Sequence, residues 1–282
     1  MIPAKFDYEV ADSVEGAIEL LGAREEAKLL AGGHSLLPLM KLRFARPSLL
    51  VDIGRIDGLA YVRDAGERLA IGALARHHDV ANDPLVQEHC PIVSHAAAGI
   101  GDPQVRHRGT IGGSVAHGDP ASDLPTVLLA LDAELAVRGP EGERAIAAGD
   151  FFRGLFETAL GPQDVLTEMR VPKLRTGNGW SYLKFNRRAQ DWATVGVAAL
   201  TRRDDGTIAE AAVALTNMGA TPIRARAVEQ ALAGAAVESV ATVAEAADEG
   251  TSPPSDTNAS AEYRRHLARV LTRRALEEAL AT

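Results

Sequence analysis

The sequence has few of the residues on which several classes of protein depend. A single cysteine, Cys90, stands in 282 residues. This excludes an intrachain disulfide and any zinc or iron–sulfur site built from this chain's cysteines alone, so Cys90 is expected to be a small buried hydrophobic residue. Basic residues number 30 against 38 acidic ones, a net charge of −8, and no basic stripe is interleaved with aromatic residues. Nucleic acid is therefore not expected as a partner.

Long apolar runs are also missing. No stretch approaches the roughly 20 apolar residues of a membrane span, and the first ten residues, MIPAKFDYEV, contain no apolar signal core. The sequence thus predicts a cytoplasmic protein without a transmembrane segment. Its composition, with 46% hydrophobic and 24% charged residues, is typical of a globular enzyme or enzyme subunit.

Three well-known site motifs are absent as well. The phosphate-binding pattern G-x-x-x-x-G-K-[ST] does not occur. Gly99-Ile-Gly101 begins like a dinucleotide fingerprint, but Gln104 stands where its third glycine should be. A serine-hydrolase elbow is not indicated, because Ala116 replaces the last glycine of G-x-S-x-G. The histidines, including the adjacent pair His77 and His78, do not have the spacing of a recognised metal motif.

The hydrophobic patterning predicts helices and strands arranged in two or three packed units. Asp12 to Glu15 has capping-box spacing and predicts a helix that begins at Asp12. Pro84 and Pro91 are expected to interrupt a helical stretch over residues 77–100, and the triplet 204–206, Asp-Asp-Gly, predicts a hairpin turn. Further strands are predicted over 27–33, 47–54, 68–76, 165–173, 180–185, 193–203 and 208–219, a hairpin over 134–148, and helices over 36–44, 126–131, 223–247 and 260–281. Four apolar residues of the last helix share a face and are expected in the core: Tyr263, Leu267, Val270 and Leu271.

Two glycine pairs mark the candidate ligand site. The first loop, AGGHS at 31–35, follows a predicted strand and enters a short helix. Glycines let a ligand approach the main chain, and successive N–H groups there form a concave anion site. The second loop, TIGGS at 110–114, has the same character. Two such loops suit a diphosphate held from both sides, since each hydrogen bond to a charged partner contributes roughly 1.5–3 kcal/mol. A tight strand-to-helix turn without a ligand is the alternative for each loop.

Asp123 follows the second loop and allows two interpretations. It precedes a helix, where aspartate is a good N-cap. Alternatively, its carboxylate accepts a hydrogen bond from a sugar hydroxyl or another donor of a ligand bound at the second loop. One side chain cannot easily serve both purposes.

The two loops in this order resemble those of the FAD-binding (medium) subunits of molybdenum hydroxylases. The quoted stretches are AGGHSLLPLMKLR and TIGGSVAHGDPASDLP, together with Lys184 to Ala193, LTNMGATP at 215–222 and the tail AEYRRHLARVLTRRA. The similarity runs through nearly the whole chain and is greatest to the medium subunits of aerobic carbon monoxide dehydrogenases. Two departures are Ser114, where relatives commonly have asparagine, and Trp192, where tyrosine is familiar.

The resemblance implies an α+β fold. It implies a two-lobed FAD-binding domain of the vanillyl-alcohol oxidase type at residues 1–175, with lobes of about 1–57 and 58–175. A C-terminal domain at 176–282 would contain a small antiparallel sheet and helices.

The resemblance also assigns site residues by their positions in this sequence. Around the pyrophosphate it places Leu30, Ala31, Gly32, Gly33, His34, Ser35 and Leu36 of the first loop, and Thr110, Ile111, Gly112, Gly113 and Ser114 of the second. Asp123 would contact the ribityl or phosphate part of FAD, and Ile100 and Leu166 would touch the cofactor. Lys184 would lie near the isoalloxazine, where its cation stabilises the reduced anionic form, and Trp192 beside the ring. No catalytic or metal-binding residue is expected in this chain.

The implied function is electron transfer. A large subunit with the molybdenum cofactor would oxidise the substrate, most readily CO, and a small iron–sulfur subunit would pass electrons to noncovalent FAD on this chain. An external acceptor, with quinone, oxygen and NAD as candidates, would then receive them. The assembly is expected to be a dimer of heterotrimers in the cytoplasm, with peripheral attachment to the inner face of the cell membrane through the complex as a further expectation.

Three alternatives remain open at this point. The chain could serve a xanthine dehydrogenase-like or aromatic-heterocycle hydroxylase. It could be a stand-alone FAD oxidase, with His34 placed for a covalent link to the flavin. It could also bind FAD or an adenine nucleotide without redox turnover.

Overall fold

The computed structural model describes residues 1–281. The helices over these residues are α1 (Val14–Ala23), α2 (Leu36–Lys41), α3 (His77–Asn82), α4 (Pro84–His89), α5 (Pro91–Ala98), α6 (Pro103–Arg106), α7 (Ile111–His117), α8 (Asp123–Ala130), α9 (Ala148–Phe151), α10 (Arg226–Leu232), α11 (Val240–Val243) and α12 (Ala261–Ala281). The strands are β1 (Asp7–Val10), β2 (Lys28–Leu30), β3 (Leu49–Asp52), β4 (Val62–Asp64), β5 (Arg68–Gly72), β6 (Glu134–Gly139), β7 (Gly142–Ala147), β8 (Phe152–Gly154), β9 (Glu157–Thr158), β10 (Val165–Pro172), β11 (Asn178–Phe185), β12 (Val195–Asp204), β13 (Thr207–Thr216) and β14 (Ile223–Arg224). Short 3₁₀ turns, Val237–Ser239 and Ala244–Ala246, flank α11.

The first unit is a parallel sheet of three strands in the order β1-β3-β2, with α1 beside it. The cap of α1 is Ser13, whose side chain accepts the N–H of Gly16 at 3.0 Å. The predicted start at Asp12 is therefore early: the hydroxyl of Ser13, one residue later, reaches the third helical N–H, and the helix itself begins at Val14. Ala17 and Val51 are fully buried and join the helix to the sheet.

The second unit is a five-stranded sheet in the order β4-β5-β10-β6-β7. Helix α4 packs on β4 and β5 and α7 on β10, and α3, α5 and α8 share the hydrophobic core of this sheet. The predicted hairpin is confirmed as β6 and β7. The predicted interruptions are also confirmed: Pro84 and Pro91 each begin a new helix, where the missing N–H has no helical partner to lose. Cys90 lies between them with 0% exposure, as expected, and its Sγ is 3.2 Å from the carbonyl of Pro172.

The third unit is an antiparallel sheet in the order β11-β12-β13-β14. Its predicted turn is confirmed: Asp205 and Gly206 have φ of 44° and 81°, as a two-residue hairpin turn requires. Alternate residues of β12 face opposite sides. Val197 packs against the α12 side, whereas Ala198 packs into the core of the second unit. One face of this sheet therefore joins the core around α5 and α8.

The C-terminal helix α12 covers the other face. Leu267 and Leu271 are buried as predicted, and Val270 is partly buried. The prediction for Tyr263 is wrong, because its side chain is 44% exposed in the first turn of α12, where its ring meets the edge of Phe185 at 6.2 Å. The α+β fold class with a small C-terminal antiparallel sheet is confirmed. In the described part of the chain, no helix combines the length and the apolarity needed to cross a membrane.

Candidate functional site

The first predicted loop is a strand-to-helix junction rich in free donors. It leaves β2 after Leu30 and enters α2 at Leu36, and Gly33 has φ of 77°, which favours glycine. Leu37 is the first residue whose N–H bonds back into the turn, to the carbonyl of Gly33 at 3.0 Å. The six N–H groups of residues 31–36 have no acceptor within residues 1–281. None of these six residues is buried, so a bound anion could accept from N–H groups in this loop.

The structure brings the two loops into contact. A Cβ on Gly32 would lie 2.3 Å from the carbonyl oxygen of Arg108 and 2.8 Å from Cα of Gly109, the residues that lead into the second loop. A Cβ on Gly113 would lie 3.8 Å from Cβ of Ala31. Glycine at 32 is thus required for the backbones to meet.

The second loop differs from the expected turn, because residues 111–117 form α7. Thr110 caps this helix: its Oγ1 accepts the N–H of Gly113 at 3.2 Å, and its carbonyl accepts the N–H of Ser114 at 3.1 Å. The N–H groups of Ile111 and Gly112 donate to neighbouring backbone carbonyls at 2.9 Å. Four of the five N–H groups of residues 110–114 are therefore paired, contrary to the expectation of free donors on this side. The N–H of Thr110 and the hydroxyl of Ser114 have no partner among residues 1–281.

The glycines of the second loop serve packing instead. A Cβ on Gly112 would lie 2.5 Å from Cβ of Ala73, so α7 rests directly on the chain after β5. Ile111 has 0% exposure and cannot face a ligand. The N–H of Ala73 in turn donates to the carbonyl of Thr167 at 2.9 Å, which places the start of α7 beside the irregular pairing of β10 that follows Leu166.

Two further predicted contact residues occupy different surroundings. Leu166 is 5% exposed and belongs to the core of the second unit. Ile100 follows α5 and is partly buried, and its carbonyl accepts from Nη1 of Arg106 at 2.9 Å. Ile100 adjoins Gly99, whose carbonyl lies 3.3 Å from Nζ of Lys184. This contact links the end of α5 to the third unit.

Asp123 is not the cap of α8, and its contact with a ligand stays a prediction. The cap of α8 is Ser122, and Asp123 is the first helical residue. Its carboxylate is 5% exposed and accepts two bonds from β11: Oδ1 from the hydroxyl of Tyr182 at 2.6 Å and Oδ2 from Nζ of Lys184 at 2.9 Å. Tyr182 was missed in the sequence analysis. The available signal was its position two residues before Lys184, on the same face of a strand.

Burial and pairing act in opposite directions on this carboxylate. Desolvation raises the pKa of Asp123 above its usual value, while the Lys184 cation and the hydrogen bond from Tyr182 oppose the rise. Desolvation and the carboxylate of Asp123 likewise hold the pKa of Tyr182 well above 10. Tyr182 is therefore a neutral donor at physiological pH. Lys184, 12% exposed, serves as the counterion.

The first loop has histidines and arginines around it. His34, in the first loop, is exposed, whereas His77 is buried, with 4% exposure. Burial, and to a lesser degree the nearness of His34 and Arg106, lowers the pKa of His77 to about 4. Nδ1 of His77 has no hydrogen-bond partner in the described chain. The neighbourhood thus holds a neutral buried imidazole beneath an exposed one.

Trp192 lies apart from these groups. Its side chain is 69% exposed and lines an open cavity of about 720 Å³ together with Arg187, Arg188, Pro120 and Asn217. No hydrogen bond or ring contact joins Trp192 to the other predicted site residues within 1–281. Sequence patterning alone would have assigned it to a core, and its exposure excludes that assignment.

Comparison with known proteins identifies the family of this chain. Residues 4–174 match the model of the FAD binding domain in molybdopterin dehydrogenase, and residues 180–279 match the CO dehydrogenase flavoprotein C-terminal domain. The chain belongs to the FAD-binding subunits of molybdenum hydroxylases. Like them, it is part of an oxidoreductase and carries an FAD-binding domain.

Individual members of this family cover the chain from end to end. The carbon monoxide dehydrogenase medium chain of Hydrogenophaga pseudoflava is 43% identical over 284 residues, spanning 100% of this chain and 99% of the relative. The 6-hydroxypseudooxynicotine dehydrogenase complex subunit alpha of Paenarthrobacter nicotinovorans is 42% identical, spanning 99% and 96%. A solved carbon monoxide dehydrogenase from Hydrogenophaga pseudoflava that lacks the Mo-pyranopterin moiety superposes with a TM-score of 0.97 at 45% identity, covering 100% of this chain and 99% of that one.

The residues of this family member fit an FAD pyrophosphate. The six unpaired N–H groups at 31–36 are the donors a diphosphate needs. A side chain on Gly32 would block the junction with the second loop, and Ser114 adds a free hydroxyl there. The fit is asymmetric, since the donors come mainly from the first loop.

Proposed function

We propose that this chain is the FAD-carrying electron-transfer subunit of a molybdenum hydroxylase. The observation that carries the proposal is the run of unpaired N–H groups at 31–36 in contact with the segment that caps α7. When bound, FAD supplies the redox chemistry. The protein's part is to hold, orient and electrostatically tune it.

Each site residue then has a proposed role. Residues 31–36 donate to the pyrophosphate from the backbone, and the hydroxyl of Ser114 donates from the second loop. Thr110 acts indirectly, because it fixes the start of α7. Leu30, Leu36, Ile100 and Leu166 shape the walls rather than donate, and Ile111 supports the loop from the core. Lys184 and Asp123 form one buried ion pair that lies near the isoalloxazine. Trp192 lies beside the ring, on the side of the open cavity that it lines.

The other redox centres are proposed to lie on partners. Within residues 1–281, no group of three or more His, Cys, Asp or Glu side chains could hold a metal ion, and Cys90 is buried. A small iron–sulfur subunit would deliver electrons to the FAD, and a large subunit with the molybdenum cofactor would oxidise the substrate. An external acceptor, such as a quinone, would take the electrons away.

We propose CO as the substrate of the partner. Whole-chain similarity to a carbon monoxide dehydrogenase medium chain supports this choice. A purine or aromatic-heterocycle hydroxylase is the alternative, because the 6-hydroxypseudooxynicotine dehydrogenase complex subunit alpha is almost as similar to this chain, at 42% identity. Residues 1–175 and 176–282 are proposed as the two domains, and the assembled enzyme is proposed to be cytoplasmic, at the inner face of the membrane.

Purification of the chain from its own host under gentle conditions tests the assembly. Two co-purifying chains, flavin and iron–sulfur absorbance, and stoichiometric molybdenum support the proposal. The same sample is then offered CO and purines with an artificial acceptor, which separates the two substrate classes. A yellow protein without partners or metals, or oxidation of CO by the lone chain, contradicts it.

Noncovalent attachment of FAD has a separate test. His34 is exposed in the first loop, as a covalent flavin link would require. Acid precipitation of the holoprotein should leave the flavin in the supernatant. Flavin in the pellet, and its loss from the pellet in His34→Ala, would instead favour a stand-alone oxidase with covalent FAD.

A further inference from the structure

The buried pair between α8 and β11 is not explained by stability. Asp123 is 5% exposed and the Lys184 side chain is 12% exposed, with Nζ and Oδ2 at 2.9 Å. Desolvation of two ions offsets most of their mutual attraction, so an apolar pair at such a place is often as stable or more stable. The pair therefore calls for a functional account.

Tyr182 completes the arrangement around Asp123. Its hydroxyl donates to Oδ1 at 2.6 Å, while Lys184, two residues along the same strand face, donates to Oδ2. Each carboxylate oxygen thus has one donor, and both donors come from β11. Behind Tyr182, the hydroxyl of Thr216 lies 3.3 Å from the phenol oxygen and bonds to Thr126 at 2.8 Å.

We propose that Tyr182 is a positioning residue that sets the net charge which Asp123 and Lys184 present to the isoalloxazine of FAD. The inference rests on the proposed function, which places Lys184 near that ring. With Asp123 ionised, the pair is neutral. With Asp123 protonated, the Lys184 cation is uncompensated and stabilises the negative charge that reduction adds to the ring.

The groups that face Asp123 fix the direction of the effect. Lys184 and Tyr182 favour the carboxylate, whereas burial and the carboxylate of Asp119, in the turn before α8, favour the acid. β13 contributes only the hydroxyl of Thr216, and the end of α5 only the carbonyl of Gly99. Loss of the Tyr182 hydroxyl therefore raises the pH at which Asp123 takes up a proton.

The experiment compares midpoint potentials of the FAD-loaded full chain. Wild type, Tyr182→Phe and Thr126→Val are equilibrated with reference dyes at pH 6 and pH 8, and each variant is compared with wild type at the same pH. Tyr182→Phe should shift the potential positive at pH 6, by about tenfold in the reduction equilibrium or about 30 mV for a two-electron couple, and by less at pH 8. Thr126→Val removes a buried hydroxyl from the same network without touching Asp123, and should stay at the wild-type potential.

A double-variant cycle isolates the route through Asp123. Asp123→Asn should shift the potential positive at both pH values, and Tyr182→Phe in the Asp123→Asn background should add nothing further. An equal shift for Tyr182→Phe and Thr126→Val, or a Tyr182→Phe shift that persists in the Asp123→Asn background, overturns the inference.

Two more outcomes separate this inference from the proposed function. Wild-type chain that binds no FAD refutes the function itself. FAD binding with no shift of the midpoint potential in Asp123→Asn refutes the placement of the pair near the ring, and the inference with it.

Should Tyr182→Phe fail to fold, 3-fluorotyrosine at position 182 replaces it. Its more acidic phenol donates more strongly to Asp123, and the midpoint potential should move negative at pH 6. An unchanged potential then overturns the proposal.

Discussion

Replacement of Gly32 by alanine should weaken FAD binding and should also lower the stability of the FAD-free fold. The added Cβ would lie 2.3 Å from the carbonyl oxygen of Arg108 and 2.8 Å from Cα of Gly109. Both obstacles are backbone, so no side chain can swing away. The first loop and the segment before α7 must therefore separate by about 1 Å to regain ordinary contact distances.

The size of the effect follows from hydrogen-bond geometry. A donor moved by about 1 Å leaves the useful range of N–H···O distances, and one bond to a phosphate oxygen contributes about 1.5–3 kcal/mol. Loss of one such bond raises the dissociation constant of FAD about 10- to 150-fold. The clash itself should cost the FAD-free fold about 1–3 kcal/mol.

Titration of FAD-free chain with FAD, followed by flavin fluorescence or calorimetry, measures the effect. Gly149→Ala is the matched control: Gly149 lies in α9, and a Cβ there meets nothing within 4 Å. It should retain wild-type affinity. If Gly32→Ala is folded by circular dichroism and binds FAD as tightly as Gly149→Ala, the pyrophosphate does not lie at this junction and the site assignment fails.

Three further outcomes are expected. Thr110→Val removes the acceptor for the N–H of Gly113 and should lower the free energy of unfolding, measured by urea titration, by about 1 kcal/mol. Thr110→Ser should keep the wild-type stability, and equal stability of the valine and serine variants would refute the capping role. Burial lowers the pKa of His77 to about 4, so the imidazole takes up a proton at a higher pH in the unfolded chain than in the folded chain, and the folded chain loses stability as pH falls below about 6.5. His77→Leu should reduce the difference in unfolding free energy between pH 7 and pH 5 by about 2 kcal/mol. An unchanged difference would contradict a buried neutral imidazole. Burial raises the pKa of Cys90 to about 12, so a thiol reagent at pH 8 should label the native chain only as fast as it opens, and rapid stoichiometric labelling would place Cys90 outside the core.

Much of the fold could be predicted because local signals decide it. The β6–β7 hairpin, the turn at Asp205-Gly206 and the helix breaks at Pro84 and Pro91 each depend on a few adjacent residues. The helix α7 was not predicted, since two glycines and a serine in its first turn have low helix propensity. Its cap at Thr110 and its close packing on Ala73 outweigh that preference.

The partners of Asp123 could not be derived from local sequence. Tyr182 lies 59 positions later in the chain and reaches α8 only because β11 packs across the end of α5. Both sequence interpretations of Asp123 considered its neighbours alone, and both missed a partner from another unit. Lys184 was placed near the flavin as a cation, but the structure pairs it with Asp123, so its net effect depends on that carboxylate.

The chain offers different groups to the two charged parts of FAD, the pyrophosphate and the isoalloxazine, in the proposed site. At the proposed pyrophosphate position, an acidic chain with a net charge of −8 offers neutral backbone donors, six in one short loop. At the proposed position of the ring, whose charge changes with each redox cycle, it offers Lys184 with Asp123 as a counterion. Fixed backbone donors suit a ligand group whose charge is constant, whereas a titratable pair can follow one that changes. This difference explains why the only side-chain ion pair at the site, within the described residues, lies at Lys184 and Asp123 rather than in the glycine loops.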